Sequence, residues 1–384
     1  MKIIIQILLL LTINSEILYI SYFPSRSPYT ILVGPTDDSK YYLYIDQEVQ
    51  HSIFFDIDYT SEEFLKKEKV QVSNDTELEL DLVEKKFFVA NYSMPIQFYL
   101  LSENDKIEYS NAALSFVREC KDRKKCLLHR LKDDGKISKI EYTFDKATAT
   151  EFYDEEAIMY VGGIPNQLLE NKNVSRCKID SASPYWSCRL RGIFFGVTVN
   201  EAKYEVNTNI KFNVKNENFQ VPSDFVSYFK KEILKNVVGR GWCRYISSPE
   251  ANGYQCQLRA MNLIPTMHLL IGNVYLSFPS SVFFELPQKD ASDRDYLYLN
   301  IEINPNDEWI IGGRFVNYYI TRFSYEENSI SFYNNDTFLI DTTYNEFTSG
   351  ALLWAVLTII ICIGGIGLLI YMKYLEKKNG GLLD

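Results

Sequence analysis

The chain is poor in the residues that metal and nucleophile chemistry most often use. It has three histidines, His51, His129 and His268, none at ligand spacing, and no Cys-x-x-Cys pair. Nothing in it therefore reads as a zinc or iron–sulfur site. No Gly-x-Ser-x-Gly occurs, which removes the usual turn that presents a hydrolytic serine. No glycine loop is present that could cradle a phosphate, and no cofactor is expected. Cations are outnumbered, with 40 Lys and Arg against 50 Asp and Glu and a formal charge of −10. Nucleic acid is a poor partner for such a chain, because neutralising phosphates requires clustered Lys and Arg. No repeat at a solenoid or propeller period is present.

Two apolar runs stand at the ends. Met1 and Lys2 precede an almost uninterrupted apolar stretch from Ile3 to Leu11, which is too short to span a bilayer and has the make-up of a signal peptide. We expect a signal peptide over residues 1–20, with cleavage between Asn14 and Ser21. The second run, residues 351–372, contains no charge and is followed by Lys373, Lys377 and Lys378. At about 1.5 Å per residue it crosses a hydrocarbon core of roughly 30 Å. The trailing lysines place residues 373–384 in the cytosol and the body outside. A cleaved GPI signal is the competitor, but such tails rarely end in a lysine-bearing segment. The expectation is a single-pass type I membrane protein with a polar stalk at 341–350. Its ectodomain is lumenal or extracellular, at the plasma membrane or an endomembrane.

Cysteines and sequons fit that side of a membrane. Six of the seven cysteines form near neighbours, Cys120 with Cys126, Cys177 with Cys188 and Cys243 with Cys256, while Cys362 lies in the apolar run. Six cysteines allow about fifteen pairings. Local pairing is expected, each short loop suiting a stapled turn in an oxidising compartment. Asn74, Asn91, Asn173 and Asn335 each begin an Asn-x-Ser/Thr glycosylation acceptor.

Between the ends lie roughly 330 residues, more than one core usually holds, so two lobes are expected. Short apolar runs rich in Tyr, Phe, Ile and Val alternate with polar loops, the pattern of a mainly β body. Strands are expected within 41–57, 87–101, 160–164, 192–199, 210–214, 267–286, 308–313 and 318–333. Phe225, Phe229, Ile233 and Leu234 fall at helical spacing after Ser223-Asp224, which predicts one helix over 223–236.

In order along the chain stand Tyr160-Val161-Gly162-Gly163-Ile164, then Tyr185-Trp186 with Leu190-Arg191-Gly192-Ile193. After these come Leu263-Ile264-Pro265-Thr266 and Trp309-Ile310-Ile311-Gly312-Gly313-Arg314-Phe315 with Tyr318-Tyr319-Ile320. Together these segments resemble the pepsin-like aspartic protease family over roughly residues 41–333. The resemblance implies a bilobal, mainly β fold, with an N-terminal lobe over 28–158 and a C-terminal lobe over 159–340. It also implies a site made by two aspartates, each on an Asp-Thr/Ser-Gly loop. Two carboxylates about 3 Å apart share one proton, so that one acts as base on a water and the other as acid.

Both loops depart from that pattern. Ile210-Lys211-Phe212 leads to the second-aspartate position, and Pro222 precedes the helix beyond it, which places Asn213 where the aspartate belongs. An asparagine has no proton to share and cannot act as a carboxylate base. Val214-Lys215 stand for Thr-Gly, and Lys215 puts a side chain where backbone should pass closely. For the first position, Asp58 is the better match and Asp56 the alternative, with no glycine in place for either. The region matched to the family's closing hairpin, 89–101, has no glycine, so it reads as stiff.

One basic stretch, 118–132, carries Lys121, Arg123, Lys124, Lys125 and Arg130 around Cys120 and Cys126. It reads as a solvated, disulfide-stapled hairpin or as a docking site for an acidic partner or lipid headgroups. The sequence points to a membrane-anchored pseudoprotease with a binding or structural role, with a peptide or protein as the ligand of its cleft. The alternatives are an active, divergent membrane-tethered aspartic endopeptidase and a β-rich adhesion protein of other origin.

Overall fold

The computed structural model describes residues 17–23, 30–33, 41–48, 50, 52–55, 61–71, 77–89, 92–101, 113–145, 157–196, 202–247, 252–285, 296–340 and 371. The chain divides into one compact unit, Met1–Ile340, and a second, Asp341–Asp384. Among the described residues no helix is long and apolar enough to cross a membrane. The expected spanning run lies outside them apart from Tyr371.

The first unit is mainly β. Its described strands form a 13-stranded, an 8-stranded and a 4-stranded sheet. Six strands of the largest sheet join the two halves of the chain. In order these are Asn173–Lys178, Ser329–Asn334, Ile320–Ser324, Glu141–Phe144, Ala157–Val161 and Leu18–Phe23, each antiparallel to its neighbour. One face of this sheet is apolar and aromatic. Tyr142 stacks on Phe323 at 4.8 Å and meets Trp186 edge-on at 5.7 Å. The Trp186 indole N–H donates to the Phe116 carbonyl at 2.9 Å, so a residue of each half closes on the shared sheet.

Leu18 and Ile20 are buried in this sheet, 3% exposed each, and Leu18–Phe23 pairs residue by residue with Ala157–Val161. The end of the segment expected as a signal peptide therefore belongs to the core. Any cleavage that leaves the fold intact falls before Leu18.

The Gly-Gly turn after Ala157–Val161 has a steric reason. Gly162 holds φ +87°, and a Cβ there would stand 2.6 Å from Ile137 Cγ2. Only glycine meets both demands. The expected helix begins at Ser223 after Pro222, but not as one regular element. Ser223–Tyr228 is α-helical, Phe229–Ile233 widens to a π turn, and Lys235–Gly239 resumes α.

The three local disulfides are as expected: Cys120–Cys126, Cys177–Cys188 and Cys243–Cys256. The last joins directly opposed residues of antiparallel strands Cys243–Ser247 and Asn252–Gln257. Asn173 and Asn335 are exposed side by side, the Asn173 amide donating to the Asn335 carbonyl at 3.1 Å. Asn74 and Asn91 lie outside the described residues.

The basic stretch is not a hairpin. A turn Arg123–Lys125 leads into an α-helix, Leu127–Asp133, whose Leu127, Leu128 and Leu131 are buried. Spacing of these apolar residues decides the helix, with the charges on its outer face. Most of those charges are spent within the molecule: Arg123 on Asp133, Lys125 on Glu68, Arg130 on Asp134 and Lys132 on Glu326.

The segment matched to a closing hairpin is also placed differently. Tyr92–Leu101 pairs on both sides, antiparallel with Glu77–Val89 and parallel with Ser52–Phe55. Phe98 is fully buried against Phe54 and Phe87. Such a strand is a wall. The hairpin with a free edge is the preceding one, Phe64–Gln71 with Glu77–Val89. It too contains no glycine.

This hairpin is pinned to the wall. The Lys125 ammonium lies 2.8 Å from the Glu68 carboxylate, and the Tyr99 hydroxyl donates to Glu68. Hydrogen bonds from Lys125, Lys66 and Tyr99 lower the Glu68 pKa from 4.5 to about 2. Because the folded value is depressed, this stabilisation is complete above about pH 4.5 and is lost as pH falls toward about 2. Limited proteolysis of residues 64–89 should accelerate across that window. Glu68→Gln should show the same acceleration at neutral pH, with a stability loss of about 1 kcal/mol.

Candidate functional site

The site is built by two loops that the sheet pairings relate to each other. In the first half, strand Tyr41–Asp46 runs parallel to Ala113–Ser115, with Tyr44 opposite Ala113 and Asp46 opposite Ser115. Ile53 then lies antiparallel to Ala113 and parallel to Tyr99. In the second half, strand Ala202–Phe212 runs parallel to Trp309–Ile311, with Lys211 opposite Ile310 and Phe212 opposite Ile311. Gln220 then lies antiparallel to Ile310 and parallel to Glu302. Each partner in the first half has its counterpart in the second at the same offset. Lys211 answers to Tyr44, Gln220 to Ile53 and Ile310 to Ala113, which makes Asn213 the counterpart of Asp46.

Asn213 follows directly on the end of its strand and is 1% exposed. Its counterpart is Asp46, also 1% exposed, and neither Asp58 nor Asp56. Both of those lie outside the described residues. Asp46 lacks the Thr-Gly that would mark such a loop, since Gln47 and Glu48 follow it. The signal that could have found it is the apolar lead-in Tyr42-Leu43-Tyr44-Ile45, of the same kind as Ile210-Lys211-Phe212.

The two loops share one local form. The Glu48 N–H donates to Asp46 Oδ1 at 2.9 Å, and the Lys215 N–H donates to Asn213 Oδ1 at 3.0 Å. Each acidic or amide side chain thus folds back on the backbone two residues on, an Asx turn. Gln47 joins the loops. Fully buried, it accepts the Val214 N–H at 2.8 Å and donates to the Tyr142 hydroxyl. Burial holds the Tyr142 pKa well above the usual phenol range, so its hydroxyl stays neutral.

The residues standing in place of glycine reach across. Lys215 Nζ lies 2.7 Å from Asp46 Oδ2. Glu48 in turn lies beside the Asn213 side chain. Its pKa is raised chiefly by burial, opposed by Lys211, and raised further by Asp46 and Glu308. Lys211 itself bridges to Glu308 at 2.7 Å. Each loop therefore sends its second residue to the key side chain of the other. One crossing is an ion pair, and the other sets the Glu48 carboxyl beside the Asn213 amide.

Loop Asn213–Asn218 closes on Gly312-Gly313. The Gly313 N–H donates to the Asn216 carbonyl at 2.7 Å. A Cβ on Gly312 would strike the carbonyl oxygens of Asn216, Glu217 and Asn218, the first at 2.6 Å. These atoms are backbone and cannot swing aside. Gly312→Ala should therefore lose more than about 3 kcal/mol of stability in urea unfolding.

The overall fold is matched in a solved structure. A crystal structure of aspartic proteinase from Irpex lacteus superposes with a TM-score of 0.63 and 13% sequence identity, covering 85% of this chain and 99% of that one. The chain has the pepsin-like aspartic proteinase fold. No family model matches its sequence, and no curated protein matches it either. A pepsin-like fold accounts for both the two-half register and the place of Asp46 and Asn213 at its centre. The remaining histidines described serve structure: His129 faces the Arg118 carbonyl, and His268 lies between Ser277 and the Gly196 carbonyl. Among the described residues no cluster of His, Cys, Asp or Glu could hold a metal ion.

Proposed function

We propose that this chain is a membrane-anchored, pepsin-like ectodomain that binds a peptide or protein segment between its lobes without cutting it. The observation that carries the reading is the 2.7 Å contact of Lys215 with Asp46 opposite an asparagine. A shared-proton pair needs two carboxylates facing one water. Here the first carboxylate is neutralised by an ammonium, and the second position holds a group that cannot ionise. The three disulfides support a secretory location. Type I orientation rests on the 351–372 run and the lysines after it.

The test is an assay of the purified protein with mixed peptides from about pH 3 to pH 7, with and without a transition-state-analogue inhibitor. No inhibitor-sensitive cleavage is expected at any pH, and such cleavage would overturn the reading. Protease protection of a tag placed after Asp384 in microsomes tests the orientation.

One observation favours a second reading, an active and divergent endopeptidase. Glu48 is a carboxylate beside Asp46 whose pKa is raised by burial, as a general acid requires. On that reading, cleavage is present and Glu48→Gln abolishes it.

A further inference from the structure

The molecule has a second basic segment, and among the described residues few carboxylates face it. Residues 230–259 carry six cations, Lys230, Lys231, Lys235, Arg240, Arg244 and Arg259, against two acidic residues, in a chain whose formal charge is −10. Among these cations Lys231 pairs with Glu232, and Arg244 is held by partners that include Gln255. All six cations are exposed.

Their centre is Trp242. The Arg259 guanidinium lies 4.4 Å from its ring centroid and that of Arg240 5.1 Å. Both distances are those of cation–π contacts. The ring is half-buried, and its backbone carbonyl accepts the Gln257 N–H at 2.7 Å. The Cys243–Cys256 disulfide begins at the next residue and fixes the two chains behind it. Beside the cations two apolar side chains face solvent, Leu258 at 55% and Leu263 at 44% exposure.

We propose that this face, centred on Arg240, Trp242, Leu258 and Arg259, docks on an anionic lipid surface. Charge complementarity selects an anionic partner, since this segment is basic on an acidic protein. The aromatic and the two leucines select a bilayer over an acidic protein. Trp and Leu partition into the headgroup layer while Lys and Arg meet lipid phosphates. Arginines stacked on a ring keep N–H groups free for phosphate. The contrast with 118–132 sharpens the choice, because there the cations are consumed by Glu68, Asp133, Asp134 and Glu326. The inference is independent of whether the cleft binds or cuts.

The test uses protein ending at Ile340, which retains every described buried core residue and all three disulfides. Flotation with vesicles of phosphatidylserine and phosphatidylcholine is compared with phosphatidylcholine alone. Binding is expected only with phosphatidylserine, and it should vanish when salt is raised from about 0.1 M to about 1 M. The pair Arg240→Gln and Arg259→Gln should weaken it about thirtyfold, at roughly 1 kcal/mol per cation. Trp242→Ala and Leu258→Ser should each weaken it further, while Lys121→Gln with Lys124→Gln on the other basic segment should not. Equal binding to both vesicle types overturns the proposal, as does no binding to either. It is also overturned if the double arginine variant, shown folded by its thermal melt, binds like the parent. Competition by polyglutamate, with Trp242→Ala and Leu258→Ser neutral, would assign the face to an acidic protein instead and likewise overturn it.

Discussion

Replacing Lys215 by methionine should cost about 3 kcal/mol at neutral pH, and adding Asp46→Asn should return most of that loss. Asp46 is 1% exposed, and its Oδ2 lies 2.7 Å from the Lys215 ammonium. Removing one member of a buried pair leaves a charge without its counter-ion, a defect of about 3–5 kcal/mol. The lower end applies because the Lys215 side chain keeps 30% of its exposure. The double variant exchanges both partners for neutral groups of similar size, so no charge is stranded. In a protein of this size the single variant should melt about 4 °C below the parent. Urea unfolding of parent, both singles and the double at neutral pH checks this. If Lys215→Met unfolds at the parent's midpoint at neutral pH, the ion pair is not what occupies the site.

Much of this site was legible in the sequence, and the part that was not has a physical cause. Asn213 and Lys215 were found because an apolar strand leads in and Pro222 with a helix follows, and the structure keeps that order. Gly162 and Gly312 were conspicuous because close approach leaves room for no other residue at either place. Asp46 escaped because its neighbours, Gln47 and Glu48, erase the local Thr-Gly mark. What defines it is the register with Ser115, a long-range pairing that residue order does not encode. Basic residues 118–132 were misread for a different reason. Charge density drew the reading, whereas burial of Leu127, Leu128 and Leu131 decides the helix. The wall strand Tyr92–Leu101 and the free-edged hairpin before it look alike in composition. Only the parallel pairing with Ser52–Phe55 separates them. The Leu18–Phe23 strand was hidden because it closely follows the apolar stretch Ile3 to Leu11 and was read together with it.

Asn213→Asp alone should leave peptidase activity at background. The change supplies a second carboxylate, but Lys215 and Glu48 still occupy the space between the loops. The ammonium would then meet two carboxylates, which removes the repulsion that makes such a pair share a proton. The change also has a cost that can be read separately. Asn213 lies beside Glu48, and its amide favours the Glu48 carboxylate. An aspartate offers only acceptors there, so Glu48 must hold a proton for the two to coexist. A folded state that binds the extra proton is favoured in acid and loses stability as pH rises above the ordinary glutamate range. Asn213→Asp should therefore be about 1–3 kcal/mol less stable than the parent at neutral pH and close to it near pH 4. The smallest change that sets two carboxylates opposite each other with nothing between them is Glu48→Gly, Asn213→Asp and Lys215→Gly together. Inhibitor-sensitive cleavage above background is expected in that triple variant and in none of its singles. Cleavage by Asn213→Asp alone would show that the crossed side chains do not block the site. The inactivity proposed for the parent would then rest on the missing carboxylate only.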